Sequence, residues 1–187
     1  MIPRPETELL IEISLNLALN SDPNVLDLGT GTGAIALALA SENPNWLITG
    51  LDKSSEAVAL AKDNAIINKL ERVNFIQSDW FSAVGDSKFD LIVTNPPYIE
   101  NNNLYLQQGD VRFEPSSALT SGMDGLDDIR LIVSQSKHYL ADEGWLVIEH
   151  GYQQRVQVTD VLRTNGFSQI RSEFDLNGLP RVTLGCF

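Results

Sequence analysis

Cysteine is almost missing from this chain: the one copy, Cys186, is the penultimate of 187 residues. A disulfide framework and a thiolate metal cluster are therefore excluded, and a reducing, cytoplasmic setting is expected. Histidine is nearly as scarce. His138 and His150 are the only two, and neither has a second candidate ligand at metal spacing, so both read as structural and no metal is expected. Positive charge is also short, with 13 basic residues against 25 acidic ones and a net charge of -12. Such a surface repels phosphate backbones, which disfavours nucleic acid as a partner. No apolar run reaches the roughly 18 residues that span a bilayer, and the opening MIPRPETELL lacks the basic-then-apolar plan of a signal peptide.

What is present is an alternation. Runs rich in Val, Ile and Leu recur at VLDLG (25–29), LITGL (47–51), VNFI (73–76), DLIVT (90–94), GWLVIEH (144–150) and RVTLGCF (181–187). Stretches of helical periodicity separate most of them, at about 6–20, 34–42, 55–68, 125–140 and 152–165. Ser54 or Ser55 can cap the third of these, and Ala57, Ala61 and Ala65 give it a face of small side chains for close packing on a sheet. Strands joined by helices of this length are parallel, so the expected fold is α/β with both sheet faces covered. Ligands of such sheets bind beyond the carboxyl ends of the strands. One polar, turn-rich stretch, 99–125, breaks the alternation and is expected to act as a lid or substrate loop. With no linker or repeat, residues 1–187 are read as a single domain.

The run VLDLGTGTGAIALALA (25–40) is a strand, a turn with Gly29, Gly31 and Gly33, and a helix. Glycines serve where the backbone turns tightly and where main-chain N–H groups must approach a ligand. A nucleoside ligand is implied, but the letters also satisfy the dinucleotide pattern, so the loop alone does not separate NAD from other adenosine compounds. Asp27 helps to separate them. A carboxylate two residues before the first glycine repels a pyrophosphate, yet it suits the ammonium or sulfonium of S-adenosylmethionine. Asp52 ends the second strand, where an acid can take both ribose hydroxyls. After the third strand comes IQSDWF (76–81): Asp79 could accept from an adenine amino group with Trp80 or Phe81 covering the ring, and a polar turn anchored by core aromatics explains the same letters equally well.

The fourth strand ends in NPPY (95–98). At average usage this pattern arises by accident in a chain of this length with odds of roughly one in a thousand. A rigid strand terminator needs only proline and leaves Asn95 and Tyr98 unexplained. A planar NH2 group conjugated to a carbonyl or ring explains all four residues. Its lone pair is delocalised, so it is a poor nucleophile. If the Asn95 side-chain oxygen and the Pro96 carbonyl each accept one N–H, the nitrogen is held toward an electrophile and the charge growing on it is stabilised. Pro96 and Pro97 fix φ and so hold that carbonyl in place, and Tyr98 can pack on the flat target.

With these motifs the chain resembles the class I S-adenosylmethionine methyltransferases and, within them, the HemK/PrmC peptide chain release factor glutamine N5-methyltransferases. The resemblance rests on IPRPETE (2–8), the glycine loop, LIVTNPPYI (91–99), DVRFEPSSAL (110–119) with DGL (124–126), and DLNGLPRV (175–182). It implies a Rossmann-like fold with a seven-stranded, largely parallel sheet whose last strand is antiparallel. It implies S-adenosylmethionine as cofactor, with S-adenosylhomocysteine as product and a release factor as substrate. By the same resemblance Gly29, Thr30, Gly31, Thr32, Gly33, Asp52, Trp80 and Asn95 contact the cofactor, and Asn95 through Tyr98 hold the substrate glutamine. Thr7 and Glu8 read most simply as the first turn of the opening helix, with a place near the cofactor's methionine as the sharper reading. Arg112 and Glu114 are expected either to pair and hold the 99–125 stretch over the cleft or to sit in a solvated hairpin. Family members usually carry an N-terminal helical domain that helps to grip the release factor, and this chain, opening on IPRPETE, is expected to lack it. The alternatives weighed are a nucleic-acid amino-methyltransferase using the same tetrapeptide, a non-catalytic binding subunit of the same fold, and an NAD-dependent oxidoreductase.

Overall fold

Each apolar run alternates between two destinations, because side chains along a strand point to opposite faces in turn. In a computed structural model, which describes residues 5–103, 115 and 118–187, Val25 packs on one side of a sheet while Leu26 and Leu28 pack on the other. The strands are β1 (Asn24–Leu28), β2 (Leu47–Asp52), β3 (Asn74–Gln77), β4 (Phe89–Thr94), β5 (Leu140–Glu149), β6 (Ser168–Phe174) and β7 (Pro180–Cys186). They form a seven-stranded sheet in the order β3-β2-β1-β4-β5-β7-β6. Pairs from β3 through β5 are parallel, and β7 runs antiparallel to both β5 and β6. The α/β class, the seven strands and the antiparallel last strand all match the expectation. β6 does not appear among the six apolar runs: its sequence SQIRSEF is exposed or half-buried throughout, as an edge strand can be.

Among the described residues five helices cover the two faces. Helices α1 (Pro5–Leu15), α2 (Ala34–Glu42) and α3 (Ser55–Ile67) lie on the face that buries Val25, Ile48, Leu91 and Val147. Helices α4 (Asp127–Ser136) and α5 (Arg155–Thr164) lie on the face that buries Leu26, Ile92, Leu146 and Ile148. Fully burying one such side chain contributes about 1.5–3 kcal/mol, and these two layers hold the strand ends in register. Ser54 is the cap of α3, its hydroxyl accepting from the Ala57 N–H at 3.2 Å. Ala61 and Ala65 are buried, so the small face packs on the sheet as its spacing predicts. The opening helix is shorter than the periodicity suggests, ending at Leu15.

Strand order reverses between β1 and β4, the two strands that carry the glycine loop and NPPY at their carboxyl ends. Leu28 pairs with Thr94 across that junction, and the Thr94 hydroxyl donates to the Leu28 carbonyl at 2.8 Å. Adjacent strands lie about 4.8 Å apart, so the two motifs begin side by side at the point where open α/β sheets bind ligands.

Candidate active site

The glycine loop turns on Gly29, Gly31 and Gly33, whose φ values are 72°, 55° and 81°. That left-handed region is open to glycine at little cost. Gly33 has a second constraint: a Cβ there would lie 3.0 Å from the Phe75 ring and 3.1 Å from Ala61. The loop is tied from below and from the side. The Thr30 N–H donates to the Leu51 carbonyl at 2.8 Å, and the Thr32 carbonyl accepts from the Asn64 side chain at 2.9 Å.

Two acids face the loop in different ways. Asp52 is half-buried at the end of β2; one carboxylate oxygen accepts the Gly31 N–H at 2.9 Å and the other the Ser54 N–H at 2.9 Å. Each oxygen keeps a further lone pair, so this carboxylate fits a vicinal diol as a bidentate acceptor. Asp27 is fully buried. Its Oδ2 accepts from the Thr30 hydroxyl at 2.6 Å and from the Ala36 N–H at 3.2 Å, while its Oδ1 has no hydrogen-bond partner. Burial raises its pKa from 3.8 to about 6, against the lowering effect of those two hydrogen bonds. A buried carboxylate oxygen without a donor is costly unless a ligand supplies one, and an ammonium does so. The acid pair and the open-backbone loop thus fit the amino-acid and ribose parts of S-adenosylmethionine.

The DWF stretch resolves into three roles. Phe81 is buried and stacked on Tyr139 at 4.5 Å between centroids, which makes it the core anchor. Trp80 is half-buried, holds φ 48°, and lies with its ring against Gly29, 3.6 Å from where a Cβ would stand. Left-handed backbone at a bulky residue is strained and occurs where the surroundings fix it, commonly at ligand sites. Asp79 is exposed and paired with Lys53 at 2.9 Å. Of the two aromatics, Trp80 is the one placed to cover a ring in the loop.

At the end of β4, Asn95 is half-buried and Pro96 buried. Asn95 Nδ2 donates to the Thr7 hydroxyl oxygen at 3.4 Å. Thr7 in turn donates to Glu149 Oε2 at 3.0 Å. Among the described residues no hydrogen bond reaches Asn95 Oδ1 or the Pro96 carbonyl, the two acceptors that the motif needs. The Tyr98 hydroxyl donates to Glu149 Oε1 at 3.5 Å, and the Tyr98 carbonyl accepts from Gln154 Nε2 at 2.9 Å. Gln154 is itself fixed by the Gly151 N–H on its Oε1 at 2.9 Å. Gly125 completes the support: with φ 72°, its position for a Cβ lies 2.2 Å from the Tyr98 carbonyl oxygen.

Sequence reasoning singled out the NPPY turn and the glycine loop, which the sheet brings side by side, but missed Glu149, Gln154 and the packing role of Gly125, which sit far from NPPY along the chain. Only the DGL letters hinted at the last. Thr7 lies in the first turn of α1 as expected and is buried, whereas Glu8 is exposed. His150 is buried with Nδ1 on the Gly151 carbonyl at 2.9 Å and Nε2 on the Thr183 hydroxyl at 2.7 Å, and burial lowers its pKa to about 4. It is a neutral structural histidine, and His138 is exposed just beyond α4. Pro180 and Arg181 open β7, as read from the sequence. Arg112 and Glu114 lie outside the described residues.

A largely parallel sheet with this switch point and an acid-flanked glycine loop beside NPPY is the arrangement of a nucleoside-binding α/β domain. Comparison with known proteins agrees. The family model described as Methyltransferase small domain matches residues 5–112. The release factor glutamine methyltransferase of Pseudomonas aeruginosa is 54% identical over 99% of this chain and 67% of its own length. Its namesake in Vibrio cholerae is 53% identical over 99% of this chain and 65% of its own. The chain therefore spans about two thirds of the length of these relatives. A methyltransferase from Pyrococcus furiosus shares the fold with a TM-score of 0.72 at 16% identity, covering 100% of this chain and 84% of that one. An rRNA methyltransferase from T. Thermophilus, solved in complex with AdoMet and guanosine, shares it at 0.69 and 22% identity, covering 99% of this chain and 43% of that one. The chain belongs to the methyltransferase small-domain family and, within it, to the release factor glutamine methyltransferases.

Proposed function

We propose that this domain methylates the side-chain amide nitrogen of a glutamine in a peptide chain release factor, in a loop of Gly-Gly-Gln type. The observation that carries the reading is the state of Asn95: its NH2 faces Thr7, which leaves its oxygen as an acceptor one residue before the Pro96 carbonyl. Two acceptors side by side match a primary amide, which has two N–H donors on one planar nitrogen.

S-adenosylmethionine supplies an electrophilic methyl group on a positively charged sulfur and leaves as S-adenosylhomocysteine. The protein's task is to make an amide nitrogen able to take that methyl. Asn95 Oδ1 and the Pro96 carbonyl would accept one N–H each and so fix where the lone pair points. As positive charge grows on the nitrogen, both contacts strengthen, and this differential binding lowers the barrier. Pro96 and Pro97 fix φ near -65°, so the Pro96 carbonyl is held at little entropic cost. Tyr98, anchored to Glu149 and Gln154, would present its ring to the flat amide. Asp27 and Asp52 would hold the donor, and Trp80 would cover its ring. The nitrogen then loses one proton to solvent.

The net charge of -12 supports a protein over a nucleic acid as methyl acceptor. No described helix is long and apolar enough to cross a membrane, and a release factor as substrate is the ground for taking the cytoplasm as the setting. Of the 99–125 stretch, read from its sequence as a lid or substrate loop, the root is described, where Ile99 bridges Thr120, while residues 104–114 and 116–117 lie outside the described residues. Labelled methyl transfer to an intact release factor, to one with Gly-Gly-Ala in the loop, and to DNA and RNA tests the reading. Label on the first alone is expected; label on nucleic acid instead would replace it.

A further inference from the structure

An amide oxygen and an amide nitrogen are nearly the same size, so packing does not decide which way an asparagine faces; its hydrogen-bond partners do. At Asn95 this decision matters, because the reverse orientation would present a donor to a substrate group that is itself a donor. Thr7 is the partner that decides it. A hydroxyl has one proton, and that of Thr7 goes to Glu149 Oε2 at 3.0 Å. In that pair Thr7 is the donor and the Glu149 oxygen the acceptor, so the hydroxyl proton is committed there. What Thr7 offers Asn95 is therefore a lone pair, and only Nδ2 can answer it, at 3.4 Å.

The parts of this arrangement are rigid. Thr7 is 9% exposed and Glu149 1% exposed. Thr7 stands in the first turn of α1, which is pinned by Leu10 in the core, and Glu149 ends β5, the strand beside β4. The Glu149 carboxylate also receives the Tyr98 hydroxyl at 3.5 Å, so both ends of the NPPY turn report to one acid.

We propose that Thr7 is a positioning residue: with its proton held by Glu149, it fixes the carboxamide of Asn95 so that Oδ1 faces the methyl acceptor. The inference rests on the reading of Asn95 given above and adds to it the residue that sets its orientation. Without the Thr7 hydroxyl the amide is free to rotate, and the competent orientation becomes one of two.

The test uses three variants of the chain as it stands: Thr7→Val, Thr7→Ser and Asn95→Ala, with Thr7→Val also combined with Asn95→Ala. Thr7→Val should lower kcat for glutamine methylation about twofold, because an amide free to take either of two orientations is competent half the time, with the donor Kd unchanged. Thr7→Ser should recover most of that loss. In the Asn95→Ala background Thr7→Val should cost nothing further, because the residue through which it acts is gone. A second readout needs no substrate: in 15N-labelled protein the Asn95 side-chain NH2 protons should exchange faster with water in Thr7→Val and not in Thr7→Ser. Equal kcat in Thr7→Val, an undiminished loss in the double variant, or unaltered Asn95 NH2 exchange would each overturn the proposal. If Thr7→Val melts below the assay temperature, Thr7→Ala is read in the same way. A wild-type chain that leaves glutamine unmethylated while the NH2 exchange responds would retain Thr7's role and discard the substrate reading instead.

Discussion

The carboxylate of Asp52 accepts the main-chain N–H of Gly31 at 2.9 Å, across the gap between β2 and the glycine loop. One side chain therefore both shapes the loop and faces the space it encloses. Asp52→Ala leaves the Gly31 and Ser54 N–H groups without their acceptor and removes the carboxylate proposed to take the donor's diol. Donor affinity should fall tenfold or more, since hydrogen bonds to a charged group are worth roughly 1.5–3 kcal/mol. Calorimetric titration with S-adenosylmethionine checks it, and an unchanged Kd would remove Asp52 from the donor site.

Asn95→Ala deletes one of the two acceptors proposed for the amide and leaves the glycine loop intact. Turnover should drop by more than about tenfold while donor binding weakens less, the pattern of a contact that strengthens on the way to the transition state. Single-turnover kinetics beside a donor titration separates the two. Parallel losses in both would make Asn95 a donor-binding residue alone.

Gly125 presents a backbone test of the same turn. Alanine there would place a Cβ 2.2 Å from the Tyr98 carbonyl oxygen and would hold φ 72°. The left-handed conformation alone costs about 1–2 kcal/mol, and the overlap must move either the DGL turn or NPPY. Gly125→Ala should lower the melting temperature and reduce kcat more than donor affinity. Melting curves and initial rates measure both.

The comparison of chain and structure explains which parts were readable. Gly29 through Gly33 and Asn95 through Tyr98 were legible because their chemistry is local: a positive φ or a fixed carbonyl demands rare residues side by side. α2 fell at 34–42 as its periodicity indicated, bounded by Gly33 before it. β6 was not legible because an edge strand with little buried area needs no apolar run. Glu149 was hidden for another reason. Its partner Thr7 is 142 positions away, and no spacing rule connects two residues that meet only through sheet topology. Trp80 and Phe81 were interchangeable as letters and became distinct once the stack on Tyr139 claimed the second.

Asp27 gives the pH dependence. Its pKa is near 3.8 unfolded and about 6 folded, raised by burial. The folded state thus prefers the protonated acid, so this stabilising preference is fully present below about pH 3.8 and is lost as pH rises through 6. Above that, the ionised carboxylate costs on the order of 3 kcal/mol in the free protein. Asp27→Asn should therefore stabilise the chain at pH 8 and have little effect near pH 4. Donor binding should show the opposite trend: the ammonium wants the carboxylate ionised, so wild-type affinity should weaken as pH falls below about 6, and Asp27→Asn should bind weakly throughout. Melting curves and donor titrations at both pH values test the pair of signs.

The most direct test asks where the methyl group goes. Tandem mass spectrometry of a release factor incubated with this chain and S-adenosylmethionine should place a single methyl on the side-chain nitrogen of the Gly-Gly-Gln glutamine, and none when Asn95→Ala replaces the wild type at short times. A methyl mapped to a carboxylate, a lysine or the main chain, or an unmodified glutamine after exhaustive incubation with a donor-binding protein, would contradict the account.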